Sequence, residues 1–226
     1  MGTITTASII QKAQTLLLDA TGVRWPSSEL LGWLNDGQRE IVVFKPNASI
    51  KHQSVKLVAG TRQSLPSDGV QLIDIPCNMG SDGATPGRAI RLAMREVFDA
   101  QVPTWHSDTP DLTVNHYMYS VLDPKTFYVY PPQPSYAQTY VDVAYAYVPQ
   151  EATLSGAITV DDIYQPMLLD YMLYRAFSKD SEFGDANRAS AHQQAYLAAL
   201  TGKARVEGAT NPNVSAPANI MTPNPA

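Results

Sequence analysis

Cysteine is almost absent. Cys77 is the single one in 226 residues, so an intramolecular disulfide and a thiolate metal cluster are both excluded. Charge is scarce too: 16% of residues are charged and the formal net charge is −5. Phosphate neutralisation needs clustered Lys and Arg, so the balance excludes a chain that grips nucleic acid, though not one that DNA passes. No apolar run reaches the roughly 20 residues that span a bilayer. The opening Met1-Gly2-Thr3-Ile4-Thr5-Thr6 lacks the basic start and apolar stretch of a secretion signal. No membrane partner is expected, and the expected site of production is the cytoplasm.

The signatures of catalysis are also missing. His52, His106, His116 and His192 stand apart, with no H-E-x-x-H and no carboxylate–histidine cluster at ligand spacing. Gly80, Gly83 and Gly87 sit in a polar loop, without the G-K-[ST] or G-x-G-x-x-G of a phosphate cradle. Ser8, Ser64 and Ser120 have no nucleophile-elbow glycines around them. Asp161-Asp162 suits a helix start, where N-capping and the helix dipole favour acids. No catalytic, cofactor-binding or metal-ligating residue is assigned, no cofactor is called for, and no enzyme is expected.

What is present is a helix–strand–helix order. Ile9, Ala13, Leu16, Leu17 and Ala20 predict a helix over residues 6–20, stopped by Gly22. A second over 27–44 starts with Ser27 or Ser28 as N-cap and carries Leu30, Leu34, Ile41 and Phe44 on one face, with Gly37 permitting close helix approach. The period changes to two near Ile50, giving strands around 50–57, 63–65 and 70–75. An exposed loop over 78–87, a short strand over 88–92 and a helical turn over 94–100 follow. Strands over 116–121, 126–130 and 139–148 read as an antiparallel meander. The clearest strand lies within 123–132, with Tyr128 and Tyr130 on one face, Phe127 and Val129 on the other, and an end at Pro131-Pro132.

Helical spacing returns at Ile163, Met167, Tyr171, Tyr174 and Phe177, and a last helix is N-capped by Asp185 and stops at Gly202. The fold class is α+β: two helical hairpins forming a bundle, a β-rich antiparallel middle lobe and an extended C-terminal tail. The expected divisions are 1–49, 50–160, 161–203 and 204–226. For function, contact is what remains, and 12 tyrosines with low charge fit polar-aromatic contact surfaces. The candidate contact residues are Arg88 and Arg91, predicted on one strand face toward an acidic partner or DNA backbone, the irregular pair Trp105-His106, and Asn211, Pro212, Asn213 and Pro223 of the tail. Glu96 and Asp99 lie beside Arg88, Arg91 and Arg95, so local ion pairing is the expected arrangement for this basic group.

Four stretches in order carry a resemblance: Trp25-Pro26-Ser27-Ser28-Glu29-Leu30-Leu31-Gly32-Trp33-Leu34-Asn35-Asp36-Gly37-Gln38-Arg39-Glu40; Arg88-Ala89-Ile90-Arg91 with residues 95–103 and Trp105-His106; residues 123–132; and Leu169-Asp170-Tyr171 with residues 174–180. Together they resemble tailed-bacteriophage head-to-tail adaptor (connector) proteins, along nearly the whole chain to about Gly202. The resemblance implies a structural virion protein at the head–tail junction, assembled in the host cytoplasm. It implies a ring homo-oligomer, generally dodecameric, beneath the portal protein, with a tail nozzle or tube protein and tail fibres as further partners. DNA would pass through its channel during ejection without specific binding, and a C-terminal arm would reach the portal or a neighbouring subunit. The alternatives are another neck or tail ring component, such as a nozzle or head-completion protein, and a small phage enzyme.

Overall fold

The computed structural model describes residues 2–120, 122–179 and 184–210. In chain order the elements are α1 (Thr6–Leu16), α2 (Ser27–Phe44), β1 (Ile50–Lys56), β2 (Gly60–Ser64), β3 (Gly69–Asp74), β4 (Arg91–Leu92) and α3 (Arg95–Gln101). Then come β5 (His116–Ser120), β6 (Asp123–Gln133), β7 (Tyr140–Tyr147), α4 (Gln165–Ser178) and α5 (Ala186–Thr210). The protein is of the α+β class, and its chain divides into two units. The first joins the chain up to Lys45 with that from Glu151 onward; the second is Pro46–Gln150. Residues 151–160, expected with the strands, belong with the helices.

In the helical unit α1 is N-capped by the Thr5 hydroxyl, which accepts from the Ser8 N–H, and it buries Ile9, Ile10 and Ala13. It ends four residues before the expected Ala20. Leu18 takes a left-handed conformation (φ 55°), and the Asp19 carboxylate collects the N–H groups of Val23, Arg24 and Trp25 at 3.1, 2.8 and 2.9 Å. Those donors, the Trp25 N–H foremost, hold the Asp19 carboxyl below its ordinary value against the opposing effect of burial. The N-cap of α2 is Pro26, without a side-chain cap bond, and Ser27 is already helical. Proline supplies a preset φ where an N–H would have been unpaired.

Leu30, Leu34 and Ile41 of α2 are fully buried, and α4 packs against α1, α2 and α5. At Gly37 α2 and α4 approach closely: a Cβ there would lie 2.9 Å from Tyr171 Cδ1 and 3.2 Å from Leu168 Cδ2. The irregular stretch after Glu151 is held by two buried amides of α2. Asn35 exchanges hydrogen bonds with the Ala152 backbone at 2.9 and 3.1 Å, while Gln38 Oε1 accepts from the N–H and hydroxyl of Thr159 at 2.6 and 2.8 Å. These side chains supplement the single backbone bridge of the segment, Ala157 with Thr5.

Asp185 caps α5, accepting from the N–H groups of Asn187 and Arg188 at 3.0 Å. Contrary to expectation, Gly202 does not stop this helix, which continues to Thr210. Its glycine cost of about 1 kcal/mol is offset beyond it. Lys203 pairs with Glu207 one turn on (2.6 Å), Glu207 also meets Lys45, the residue after α2, and both lysines lie over the Tyr164 ring.

In the β unit one sheet has the order β1-β7-β3 and the other β2-β6-β5-β4. Leu72, Val141, Val143 and Tyr145 of the first share one core with Tyr117, Phe127 and Val129 of the second. Two expectations fail here. β7 does not extend a meander: it is the central strand of the other sheet, antiparallel to both β1 and β3. Its alternation showed one buried face, but the small Ala144 and Ala146 of the opposite parity are buried as well. β6 runs through Pro131 and Pro132 instead of ending at them. Both lie where its pairing with β2 shifts register, between Gly60 and Arg62, and the Pro132 carbonyl still accepts from the Asp111 N–H at 3.1 Å.

Candidate partner-contact surface

The alternation along β6 sends Phe127 and Val129, both fully buried, into the shared core and leaves Tyr128 and Tyr130 half-buried on the opposite face. Tyr130 lies opposite His116 and Tyr128 opposite Met118 in the β5–β6 register, so these four residues share that outer face. α3 and the single turn Trp105–Ser107 partly cover it. Phe98 of α3 stands edge-on to Tyr130 and tilted to His116, with ring centroids 5.1 and 5.4 Å apart. Trp105 is fully buried, and its Nε1–H donates to Asp99 Oδ1 at 2.8 Å. It therefore supports the surface from within. His106 is exposed, stacked on Trp105 at 3.6 Å, with Nδ1 2.8 Å from the Thr61 hydroxyl.

Charges frame this aromatic cluster. Arg95 lies 5.2 Å over the Tyr128 ring and pairs with Asp99 at 3.4 Å, the local ion pair expected. The Tyr130 hydroxyl donates to Asp108 at 2.7 Å, which lowers the acid's pKa and raises the phenol's. Contrary to the local pairing expected of them, Arg88 and Arg91 are exposed and have no ion-pair partner among the described residues. They are not on one strand face as expected. β4 is only Arg91–Leu92, parallel to β5, while Ala89 bridges Cys77. The Ile90 N–H turns to the Pro76 carbonyl and that of Arg91 to the Asn115 carbonyl, so the segment changes partner strand between them. Burial first, then Arg91 and Arg88, push the His116 pKa down, keeping the ring neutral at pH 7. His116 Nδ1 and Asn115 Oδ1 are buried without a hydrogen-bond partner among the described residues.

Leu92, Met94 and Val97 are exposed beside this cluster, and Leu92 and Met94 line a groove with Met118, Tyr119 and Tyr128. Sequence reasoning singled out Arg88, Arg91, Trp105 and His106 but missed Phe98, His116 and the apolar rim. The period-two placement of Tyr128 and Tyr130 was the available signal; the approach of α3 left none. Asn211, Pro212, Asn213 and Pro223 lie outside the described residues. Among the described residues no group of three or more His, Cys, Asp or Glu could hold a metal ion, and no helix is long and apolar enough to cross a membrane. The surface offers apolar, aromatic and cationic contact.

Comparison with known proteins gives one assignment. A family model described as SU10 adaptor protein matches residues 4–219. No curated protein matches the chain.

Proposed function

Because the chain belongs to the SU10 adaptor protein family, a family of phage head-to-tail adaptors, we propose that it forms a ring, in dodecameric form, between the portal protein and the tail. The family is one of structural virion components that assemble with portal and tail parts. The observation that carries the proposal is the extent of the match, which spans the helical unit and the whole of the β unit. In this reading the α-helices form a bundle that makes the inter-subunit contacts. The outer face of the four-stranded sheet, with Arg88, Arg91, His106 and the Leu92–Met94–Val97 rim, meets a neighbouring virion protein such as the tail nozzle or tube. A net charge of −5 suits a channel through which DNA slides without being held.

Mixing the purified chain with isolated portal rings tests this directly, with native mass and electron-microscopy imaging as readouts. The expected result is a closed ring of this chain on the portal without any other tail protein. A chain that stays monomeric with and without portal overturns the proposal.

A further inference from the structure

The glycine-rich loop between β3 and β4 walls a cavity of about 590 Å³ in the β unit. Gly80, Ser81, Gly87 and Arg88 line it from the loop, Leu112 from the chain before β5, and Tyr140 from the start of β7. Asn78, itself buried, clamps the end of the loop that carries Arg88. Its N–H and its Nδ2 both donate to the Arg88 carbonyl at 2.9 Å, and its carbonyl accepts from the Gly87 N–H at 2.7 Å. The same side chain donates to the Val114 carbonyl at 2.9 Å and accepts from the Val114 N–H at 2.8 Å, which ties the Arg88 backbone to the chain entering β5. Gly83 brings the loop down on Tyr140: a Cβ there would lie 3.1 Å from Tyr140 Cδ1. Contacts within the chain thus preform this wall.

Arg88 is the one charged residue among the described residues that line the cavity, and it has no ion-pair partner among them. The flanking acids are engaged elsewhere. Asp82 accepts from the Ala84 N–H at 3.0 Å and from the Thr85 N–H and hydroxyl at 3.1 and 2.7 Å, all within the loop. Asp111 accepts from the Thr113 N–H at 2.9 Å. The N–H groups of Gly80 and Ser81 bond to no described residue, so two further donors stand in the same wall. Leu112, 51% exposed, and the Tyr140 ring supply apolar surface, and the Tyr140 hydroxyl is taken up by Gln138 Oε1 at 3.0 Å. In a chain of net charge −5, this cavity combines a guanidinium, donors and apolar walls, without a lining acid among the described residues.

That chemistry selects an anion on an apolar stem. A guanidinium presents two parallel donors to a carboxylate, and the pairing strengthens where apolar walls exclude water. A nucleic-acid backbone would need a row of cations to follow its phosphates, and this cavity has one. The negative chain as a whole also repels a polyanion. The volume lies within the ordinary range of ligand cavities, about 300–1,000 Å³. It has room for an acidic side chain and a neighbour.

We propose that the cavity receives an aspartate or glutamate with an apolar neighbour, from an extended segment of a partner protein, its carboxylate on Arg88; the protein occupant rests on the reading of Arg88 as a contact residue. The test titrates the full chain with acetyl-Leu-Asp-Leu-amide and acetyl-Leu-Asn-Leu-amide, followed by the amide NMR shifts of Gly80, Ser81, Gly87 and Thr113. The acidic peptide should bind about tenfold more tightly than the neutral one. Arg88→Gln keeps the clamp, which uses the Arg88 backbone, and should abolish that preference. Arg88→Lys should keep part of it, and Arg62→Gln, outside the cavity, should leave it whole. Equal binding of the two peptides, or a preference that survives Arg88→Gln, overturns the proposal. Tighter binding of inorganic phosphate or a short oligothymidylate at the same amides overturns the protein occupant. Absence of the preference in the natural protein, alongside an intact ring on the portal, overturns this site and leaves the adaptor reading standing. The preference kept by a chain that forms no ring sinks the adaptor reading alone.

Discussion

Replacing Gln38 by leucine would remove the buried acceptor that holds Thr159 and Val160. Gln38 is 1% exposed, and its Oε1 accepts from Thr159 N–H at 2.6 Å, Thr159 hydroxyl at 2.8 Å and Val160 N–H at 3.4 Å. An orphaned buried donor costs about 1–3 kcal/mol. The long Val160 bond belongs at the low end, the Thr159 hydroxyl can turn elsewhere, and the new apolar side chain returns about 1–2 kcal/mol of transfer energy. The expected net loss is about 1–2 kcal/mol. Urea unfolding followed by the fluorescence of Trp25 and Trp33, both in the helical unit, in a Trp105→Phe background that removes the β unit's signal, should show a lower midpoint at unchanged slope. Thr159→Val removes only the hydroxyl and should cost about 1 kcal/mol alone but nothing in the Gln38→Leu background, because the partner is already gone. A Gln38→Leu loss under about 0.5 kcal/mol would show that these groups find other acceptors, and the reasoning would fail.

Gly37→Ala adds a Cβ 2.9 Å from the Tyr171 ring; overpacking should outweigh the gain in helix propensity and lower stability by about 1 kcal/mol, measurable in the same urea assay. Asp19→Asn weakens the acceptor for three backbone N–H groups. Because the folded carboxyl lies below its ordinary 3.8, its stabilisation is present above that value and disappears as pH falls through the folded one. The variant should therefore be less stable at neutral pH, with the gap to the natural protein closing in acid; a gap independent of pH would contradict this. Arg91→Gln removes the stronger of the two cationic influences that lower the His116 pKa, so its ring should titrate at a higher pH by NMR, and an unmoved titration would separate Arg91 from it.

Legibility in the sequence followed the range of the interaction. The face assignment along β6, Tyr128 and Tyr130 against Phe127 and Val129, depends only on period two, and it holds. So does the close approach at Gly37, because a glycine on an apolar helix face has few other uses. The failures are competitions that a local pattern does not contain. The helix ran on through Gly202 because Lys203, Glu207 and Lys45 meet beyond it. Pro131 and Pro132 stayed in a strand because the register of a distant strand shifts opposite them. β7 left the meander because small residues make its second face buriable, which alternation hides. Of the contact surface, the tyrosines and arginines were visible, but Phe98 and His116 became part of it only when α3 folded over the sheet.

The helical unit is written in two pieces, with about a hundred residues of β unit between Lys45 and Glu151. During synthesis this separation becomes a delay. At about 5–20 residues per second, roughly 5–20 s pass between the emergence of the two segments, and α4 and α5 lie further downstream. Through that interval Leu30, Leu34 and Gly37 of α2 wait for the surface that Leu168 and Tyr171 will supply. The β unit, contiguous in sequence, can close its own core first, so the order of folding on the ribosome is the reverse of the order in which the chain begins.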